Sequence, residues 1–386
     1  MRINKNRLRH FFLAIISFVL IGTAVFCVIV RIYETQTVLP LDILAAELTM
    51  PIGNAEYSEQ DEENSVKIND DRNIDSSQSN DENSTETSQK EQSDTDKNKN
   101  EKNDFEESNP SDKEIEKYEK SHEGEEKYPV NEITITSGNQ SYKNIQMKNL
   151  SSKDIDIKSE LEGELGFKTE DTDEPQVLIC HTHTCESFLL YDTGYFYESF
   201  YPRTTDNSKN VCAVGDEIAK QLNKAGIVTI HDKAQHDNPS YSGAYDRSLE
   251  TINSYLEKYP SIKVVLDIHR DGIGTDTERS KPVFTVNGKK AAQIMILAGY
   301  NYDDSEEFKD WEYNLRFALQ IQSTAENMYP DMVRPLYFND FMYNMNVNTG
   351  SLLIEVGSDS NTLEEVRYSG YLLGNVISEV LKKNMQ

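Results

Sequence analysis

From about residue 54 to residue 126 the chain consists largely of Glu, Asp, Asn, Ser, Lys and Gln, with very few aliphatic residues. Such a stretch cannot bury enough apolar surface to offset the entropy of ordering it, so it is expected to be a disordered, solvated tether. This constrains the 386-residue chain more than its length does, which alone would allow two domains. The large folded part must lie on the C-terminal side. The boundaries read as 32–130 for an acidic tether, 131–175 for a modest lead-in that opens on an alternating strand at 132–136, and 176–386 for the main domain.

Ahead of the tether lies an apolar stretch at 11–31, close to the ~20 residues needed to cross a bilayer. Residues 1–10 carry Arg2, Lys5, Arg7 and Arg9. By the positive-inside rule they are expected in the cytoplasm, with everything after residue 31 outside the cell membrane. A cleaved signal peptide competes, because a basic start followed by an apolar run fits both. The run is longer than the ~7 to 15 residues usual for a signal peptide, and bulky Phe26 argues against a lipid anchor at Cys27. The segment therefore reads as an uncleaved single-pass anchor.

The net charge of −28 argues against a nucleic-acid partner, which needs a basic footprint. It fits solubility and chain extension. Four cysteines, Cys27, Cys180, Cys185 and Cys212, make no disulfide framework, and a chain with a large core does not need one. All four are expected as free thiols.

Beyond residue 176 short apolar runs alternate with segments of helical periodicity. Residues 177–180, 227–230 and 263–269 read as strands, with helices at 210–225, ended by Gly226, and at 245–259, ended by Pro260. Strands at 282–286 and 293–298, a long helix at 303–328 and a strand at 352–356 follow. Thr362 and Glu365 form a capping box that opens a last helix at 363–383. The expected fold is a single three-layer α/β domain, a mixed but mostly parallel twisted sheet with helices on both faces.

Three polar clusters close three of the apolar runs, where open α/β sheets bind ligands. They are His181, His183, Cys185 and Glu186, then Asp267, His269, Arg270 and Asp271, and lastly Glu355 before Gly357. A catalytic zinc takes three His or carboxylate ligands and keeps one position open. His183 or His181, with Glu186 and His269, can supply that set. In a loop leaving a strand the two first histidines need not face the same way, so which of them binds stays open. Glu355 is the candidate general base, and Asp267, on the same strand face as His269, suits an orienting role. Arg203, Asp206, Arg247 and Arg270 could orient substrate carboxylates or simply pair with acids. Cys185 with His269 offers a rival, a cysteine hydrolase, which would leave Glu186 and Glu355 without roles.

Four motifs in this order carry a family resemblance: Val177-Leu-Ile-Cys-His-Thr-His-Thr-Cys-Glu-Ser-Phe188, Thr204-Thr-Asp-Asn-Ser-Lys-Asn-Val211, Asp267-Ile-His-Arg-Asp271 and Leu353-Ile-Glu-Val-Gly357. The chain from about Gln176 onward resembles stage II sporulation protein P, a family of membrane-anchored N-acetylmuramoyl-L-alanine amidases, and the anchor and tether resemble its layout. The resemblance implies a zinc-dependent amidase fold acting on peptidoglycan. The bond cut would join the lactyl group of N-acetylmuramic acid to the first L-alanine of the stem peptide. It also implies partnership with stage II sporulation proteins D and M in remodelling septal wall during engulfment. Carried over by position, zinc falls on the His181/His183 pair, Glu186 and His269, and the catalytic acid on Glu355. Cys185, where the family usually shows a small hydroxyl residue, and Cys180, where an aromatic is common, depart from the pattern. A thiol beside the ligand loop could add a metal contact.

Two further alternatives stay open at this point. One is a catalytically silent wall-binding or scaffold module. The other is a metal peptidase or carbohydrate deacetylase built on the same ligand set.

Overall fold

Val177, Leu178, Ile179 and Cys180 are all buried, as a strand covered on both faces must be, and the sheet is built outward from them. The computed structural model describes residues 105–108, 110–300 and 308–385. The expected cytoplasmic segment, the anchor at 11–31 and most of the tether lie outside these residues. Among the described residues no helix is long and apolar enough to cross a membrane.

In chain order the first elements are α1 (Asp112–Ser121), β1 (Lys127–Ile133), β2 (Gln140–Tyr142), β3 (Ile145–Asn149) and α2 (Ile157–Glu162). Next come β4 (Val177–Cys180), β5 (Tyr195–Tyr197), α3 (Val211–Lys224), β6 (Thr229–His231), α4 (Ala244–Lys258) and β7 (Val264–Asp271). The remainder is β8 (Gly274–Thr275), β9 (Glu278–Val286), β10 (Lys289–Ala292), β11 (Ile294–Gly299), α5 (Trp311–Met328), β12 (Leu336–Asn339), β13 (Ser351–Ser358) and α6 (Leu363–Lys383).

The main sheet has eight strands in the order β2-β3-β12-β11-β13-β7-β4-β6. Strands β13, β7, β4 and β6 run parallel, and β11 turns the direction by pairing antiparallel with β13. Mixed, mostly parallel α/β architecture is therefore present. One face is packed by α3, whose Val211, Val214, Ile218 and Leu222 are buried at helical spacing, together with α5 and α6. The other face carries α4, whose Ile252 packs on Leu178, Cys180 and Val265. Further along that second face, among the described residues, only the short 3-10 turn Met345–Val347 adjoins β13. Phe341 and Tyr343 cover Met295, Leu297 and Leu353 instead.

Two features differ from the sequence expectation. Residues 112–133, read as tether up to 130, form α1 and β1. Ser111 donates its backbone N–H to Glu114 Oε2 at 2.7 Å, and Tyr118 packs against Tyr191 and Tyr197, so α1 gains a cap and an aromatic contact without an apolar face of its own. Strand β1 then joins a second sheet, antiparallel to β5 and parallel to β9. The lead-in likewise belongs to the domain, because β3 pairs with β12 and carries β2 onto the edge of the main sheet.

Strands β7 and β13 also continue past their polar residues. Ser358 pairs with Asp271 after a register shift that follows Glu355. Gly357 sits at the shift with φ +69°, a conformation that favours glycine, and a Cβ there would meet Asn361 Oδ1 at 2.7 Å. Such bulges re-aim side chains beside active sites.

Candidate active site and metal centre

The register of the sheet brings the site together. Glu355 on β13 pairs with His269 on β7, and Asp267 pairs with Cys180 at the end of β4. After Cys180 the chain leaves the strand and turns through 182–185, with Glu186 N–H donating to His183 O at 3.1 Å. That turn reverses the alternation expected of a strand. Thr182 Oγ1 donates to Asp267 at 2.6 Å, and both His183 and Glu186 fall on the side of His269.

His183, Glu186 and His269 are buried, and their ligand atoms lie within 4.8 Å of one another. Both imidazoles turn Nδ1 toward the Glu186 carboxylate, each at 3.5 Å. That is long for a hydrogen bond. It is near the separation of about 3.3 Å that two ligands take in a tetrahedral site with bonds of ~2.0–2.1 Å. On the far side of His269, Nε2 sits 3.0 Å from Asp267 Oδ1 without a well-aligned hydrogen bond. A carboxylate behind a ligating imidazole is the usual orienting arrangement. The donor set therefore fits a divalent metal of the zinc class.

The electrostatics agree. Burial pushes the Glu186 carboxyl up, but the Arg270 charge and the two imidazoles outweigh it and hold the group well below its ordinary range. Burial would strip His269 of its proton, yet Asp267 and Glu186 keep it well above the usual histidine value. The pocket is thus built to hold positive charge. Glu355 behaves in the opposite way: burial raises it to about 8, with Asp271 and Glu186 adding to the shift and His269 opposing it. Its Oε2 is buried and has no hydrogen-bonding partner.

His181 is not part of this cluster. It lies on the opposite face, where Nδ1 donates to Ile268 O at 2.8 Å and Nε2 faces His231. Among the other expected residues, Arg270 lines the site and donates its backbone N–H to Glu186 at 3.2 Å. Arg203 borders it, paired with Asp237 at 2.7 Å and lying over the Tyr241 ring. Asp206 is spent on Lys209 and Ser208 in an exposed turn. The Arg247 guanidinium donates to the backbone carbonyls of Ser240, Ser242 and His236 and so props up the 236–242 loop.

Residues 39–378 match the family described as Stage II sporulation protein P (SpoIIP). The chain belongs to that family. It is 26% identical over 219 residues to stage II sporulation protein P of Bacillus subtilis (strain 168), a match covering 54% of this chain and 51% of that one. The chain thus spans about half the length of this curated relative. Among solved structures it is similar to an N-acetylmuramoyl-L-alanine amidase from Clostridium difficile 630, at 18% identity and a TM-score of 0.31, over 55% of this chain and 97% of that one. It is also similar to the amidase Ami1 from Mycobacterium abscessus, at 14% identity and a TM-score of 0.32, over 55% of this chain and 99% of that one.

Two tyrosines complete the wall of the site and escaped the sequence reading. Tyr241 stacks on His183 with centroids 4.3 Å apart, and Tyr245 meets the same ring edge-on at 5.5 Å. Tyr241 is half exposed, so it forms the rim of the site. Asp237 was missed as well. It takes the Cys185 N–H and the Arg203 guanidinium, tying the 236–242 loop to the ligand turn. The one signal for this loop in the sequence is the polar run from His236 to Ser242, just ahead of a helix.

Proposed function

We propose that this family member is a zinc-dependent N-acetylmuramoyl-L-alanine amidase that hydrolyses the amide between the lactyl group of N-acetylmuramic acid and the first L-alanine of the stem peptide. One observation carries the reading: His183, Glu186 and His269 converge, and Glu355, raised to about 8, faces His269 across the strand pair. A zinc ion held by the three residues would supply Lewis acidity toward a carbonyl oxygen and ease the deprotonation of water.

The chain's own groups do the rest. Glu355 takes a proton from the attacking water as the new C–O bond forms, and returns it to the alanine nitrogen as the C–N bond breaks. A carboxyl that titrates near working pH can do both. Asp267 holds His269 in place, and Thr182 holds Asp267 by donating its backbone N–H and its hydroxyl, the hydroxyl being bonded in turn to Ser248. Arg270 adds fixed positive charge beside Glu186. Tyr241 and Tyr245 pack against His183 and narrow the approach to it. Replacing Glu355 with Gln tests the assignment: metal content should stay the same while turnover is lost. Retained turnover would remove Glu355 as the base.

The proposal extends to placement. Residues 11–31 would anchor the protein, with 1–10 in the cytoplasm and the catalytic domain outside the membrane. Residues 32–104 would serve as the tether, ending where Phe105 is buried and Ser108 bonds Glu364; a flexible chain of this size reaches some tens of ångströms, at ~5 to 6 Å times the square root of its length. Work at the sporulation septum with stage II sporulation proteins D and M belongs to the same proposal. Co-purification of the full chain with either protein from sporulating cells is its test.

A further inference from the structure

His181, turned away from the site above, meets two other potential ligands on the α3 face of the sheet. His231 ends β6, and Cys212 stands in the first turn of α3. The ligand atoms of all three lie within 4.8 Å of one another. His181 and Cys212 are fully buried, and the His231 side chain is 7% exposed.

The outer nitrogens of both rings are committed. His181 Nδ1 is 2.8 Å from Ile268 O, and His231 Nδ1 is 3.0 Å from Asp216 Oδ1. A carbonyl and a carboxylate only accept, so both Nδ1 atoms carry the hydrogen. The two Nε2 atoms then face each other across 2.8 Å, and in neutral rings each presents a lone pair. Left alone, that contact is repulsive. It is also how metal-binding histidines are arranged, with the outer N–H fixed by a carboxylate or carbonyl and the inner lone pair free.

The backbone is shaped for the same contact. A Cβ at Gly215 would come within 2.5 Å of His231 Nε2 and 3.0 Å of His181 Nε2, so a glycine here lets α3 approach the pair. Cys212 sits in the first turn of α3 with its N–H capped by Asn210 Oδ1 at 3.0 Å, and because burial pushes its thiol up to about 12 in the metal-free chain, a bound cation must displace that proton.

We propose that His181, His231 and Cys212 hold a second metal ion of the zinc class, which pins β4, β6 and α3 together on the sheet face opposite Glu355. An N₂S donor set suits zinc or cobalt(II). Bonds of ~2.0–2.1 Å to nitrogen require the two Nε2 atoms to open to about 3.3 Å, a small ring rotation. Binding displaces one proton from the Cys212 thiol to solvent. The inference is independent of the amidase reading, since the Glu186 cluster contains no sulfur.

Cobalt(II) loading of the full chain separates the two sites, because a thiolate ligand gives a sulfur-to-cobalt charge-transfer band in the near ultraviolet. The wild-type chain should take two metal ions and show the band. His269→Ala and Cys185→Ser should keep it. Cys212→Ser and His231→Ala should lose it, with Cys212→Ser retaining one ion. A loaded wild-type chain without the band, or a band that survives Cys212→Ser and disappears in Cys185→Ser, would overturn the proposal. The His181–His231 contact would then be a hydrogen bond from a protonated His231 held by Asp216.

Discussion

Glu355 stands opposite His269 in the parallel pairing of β13 with β7, so a carboxyl raised by burial lies beside an imidazole that its neighbours keep cationic. Two central strands of the sheet hold this pair, not loops. Its geometry is as rigid as the core, which is what proton transfer to a reacting group requires.

The raised Glu355 carboxyl has a consequence for stability in metal-free protein. Its value in the unfolded chain is about 4.3, and in the fold it is about 8. Between those values the folded state holds a proton that the unfolded state has released, so the group's contribution falls as pH rises. Glu355→Gln stays neutral and escapes this loss. Denaturant melts with chelator present should find the variant close to wild type near pH 4 and increasingly more stable up to about pH 8. A difference that is flat over that range would contradict the burial of this carboxyl.

Asp267 lies 3.0 Å from His269 Nε2 and accepts hydrogen bonds from Thr182. Asp267→Asn keeps the shape but weakens the hold on His269. Metal affinity should drop by about 10- to 100-fold, the usual cost of losing such a partner. Competition with a coloured chelator measures it, and unchanged affinity would show that His269 needs no support.

Burial and the neighbouring Asp237 push the Cys185 thiol up to about 12, so at neutral pH it is a protonated thiol and a poor nucleophile. The account therefore predicts that Cys185→Ser keeps most of the hydrolytic activity, and that iodoacetamide at pH 7 does not inactivate the protein. Loss of turnover on alkylation of Cys185 alone would restore the cysteine-hydrolase alternative.

Far from the site, Lys281 is 2% exposed and bonds Glu365 at 2.7 Å and Asp192 at 2.8 Å. The ammonium explains the acidic group of Glu132, Asp192 and Glu365 without a metal. Lys281→Ala would leave Glu365 buried and uncompensated, at a cost of about 3–5 kcal/mol. Urea unfolding followed by circular dichroism reads this directly. A loss under about 1 kcal/mol would mean that Glu365 is satisfied by its capping box alone.

Much of this was legible in the sequence where local pattern and burial coincide. Strand β4 is an unbroken apolar run, and α6 starts at the Thr362–Glu365 capping box. Strand β1, Lys127–Ile133, was legible only at its end, as an alternating run at 132–136 placed too far along the chain, and β3 was hidden, because their partners are distant: Asn131 pairs with Ser280 and Met147 with Leu336. Helix α1 has no buried residue and rests on its cap and on Tyr118, so its composition reads as tether. At the site, residue types pointed to His183, Glu186, His269 and Glu355. The direction of His181 depends on the turn at 182–185 and on His231, which approaches from another strand. Asp206 found partners in its own turn, and Arg247, in the first turn of α4, found them in the loop just ahead of that helix.

The central claim is the bond that is cut and its dependence on the His183, Glu186 and His269 centre. The most direct test is mass spectrometry of purified peptidoglycan digested by the full chain, before and after chelation and zinc restoration. Intact stem peptides with a free L-alanine amine, whole glycan strands, loss of release on chelation and its return with zinc are the predicted result. Cleavage within the stem peptide or the glycan alone, or release that persists without metal, would contradict the account.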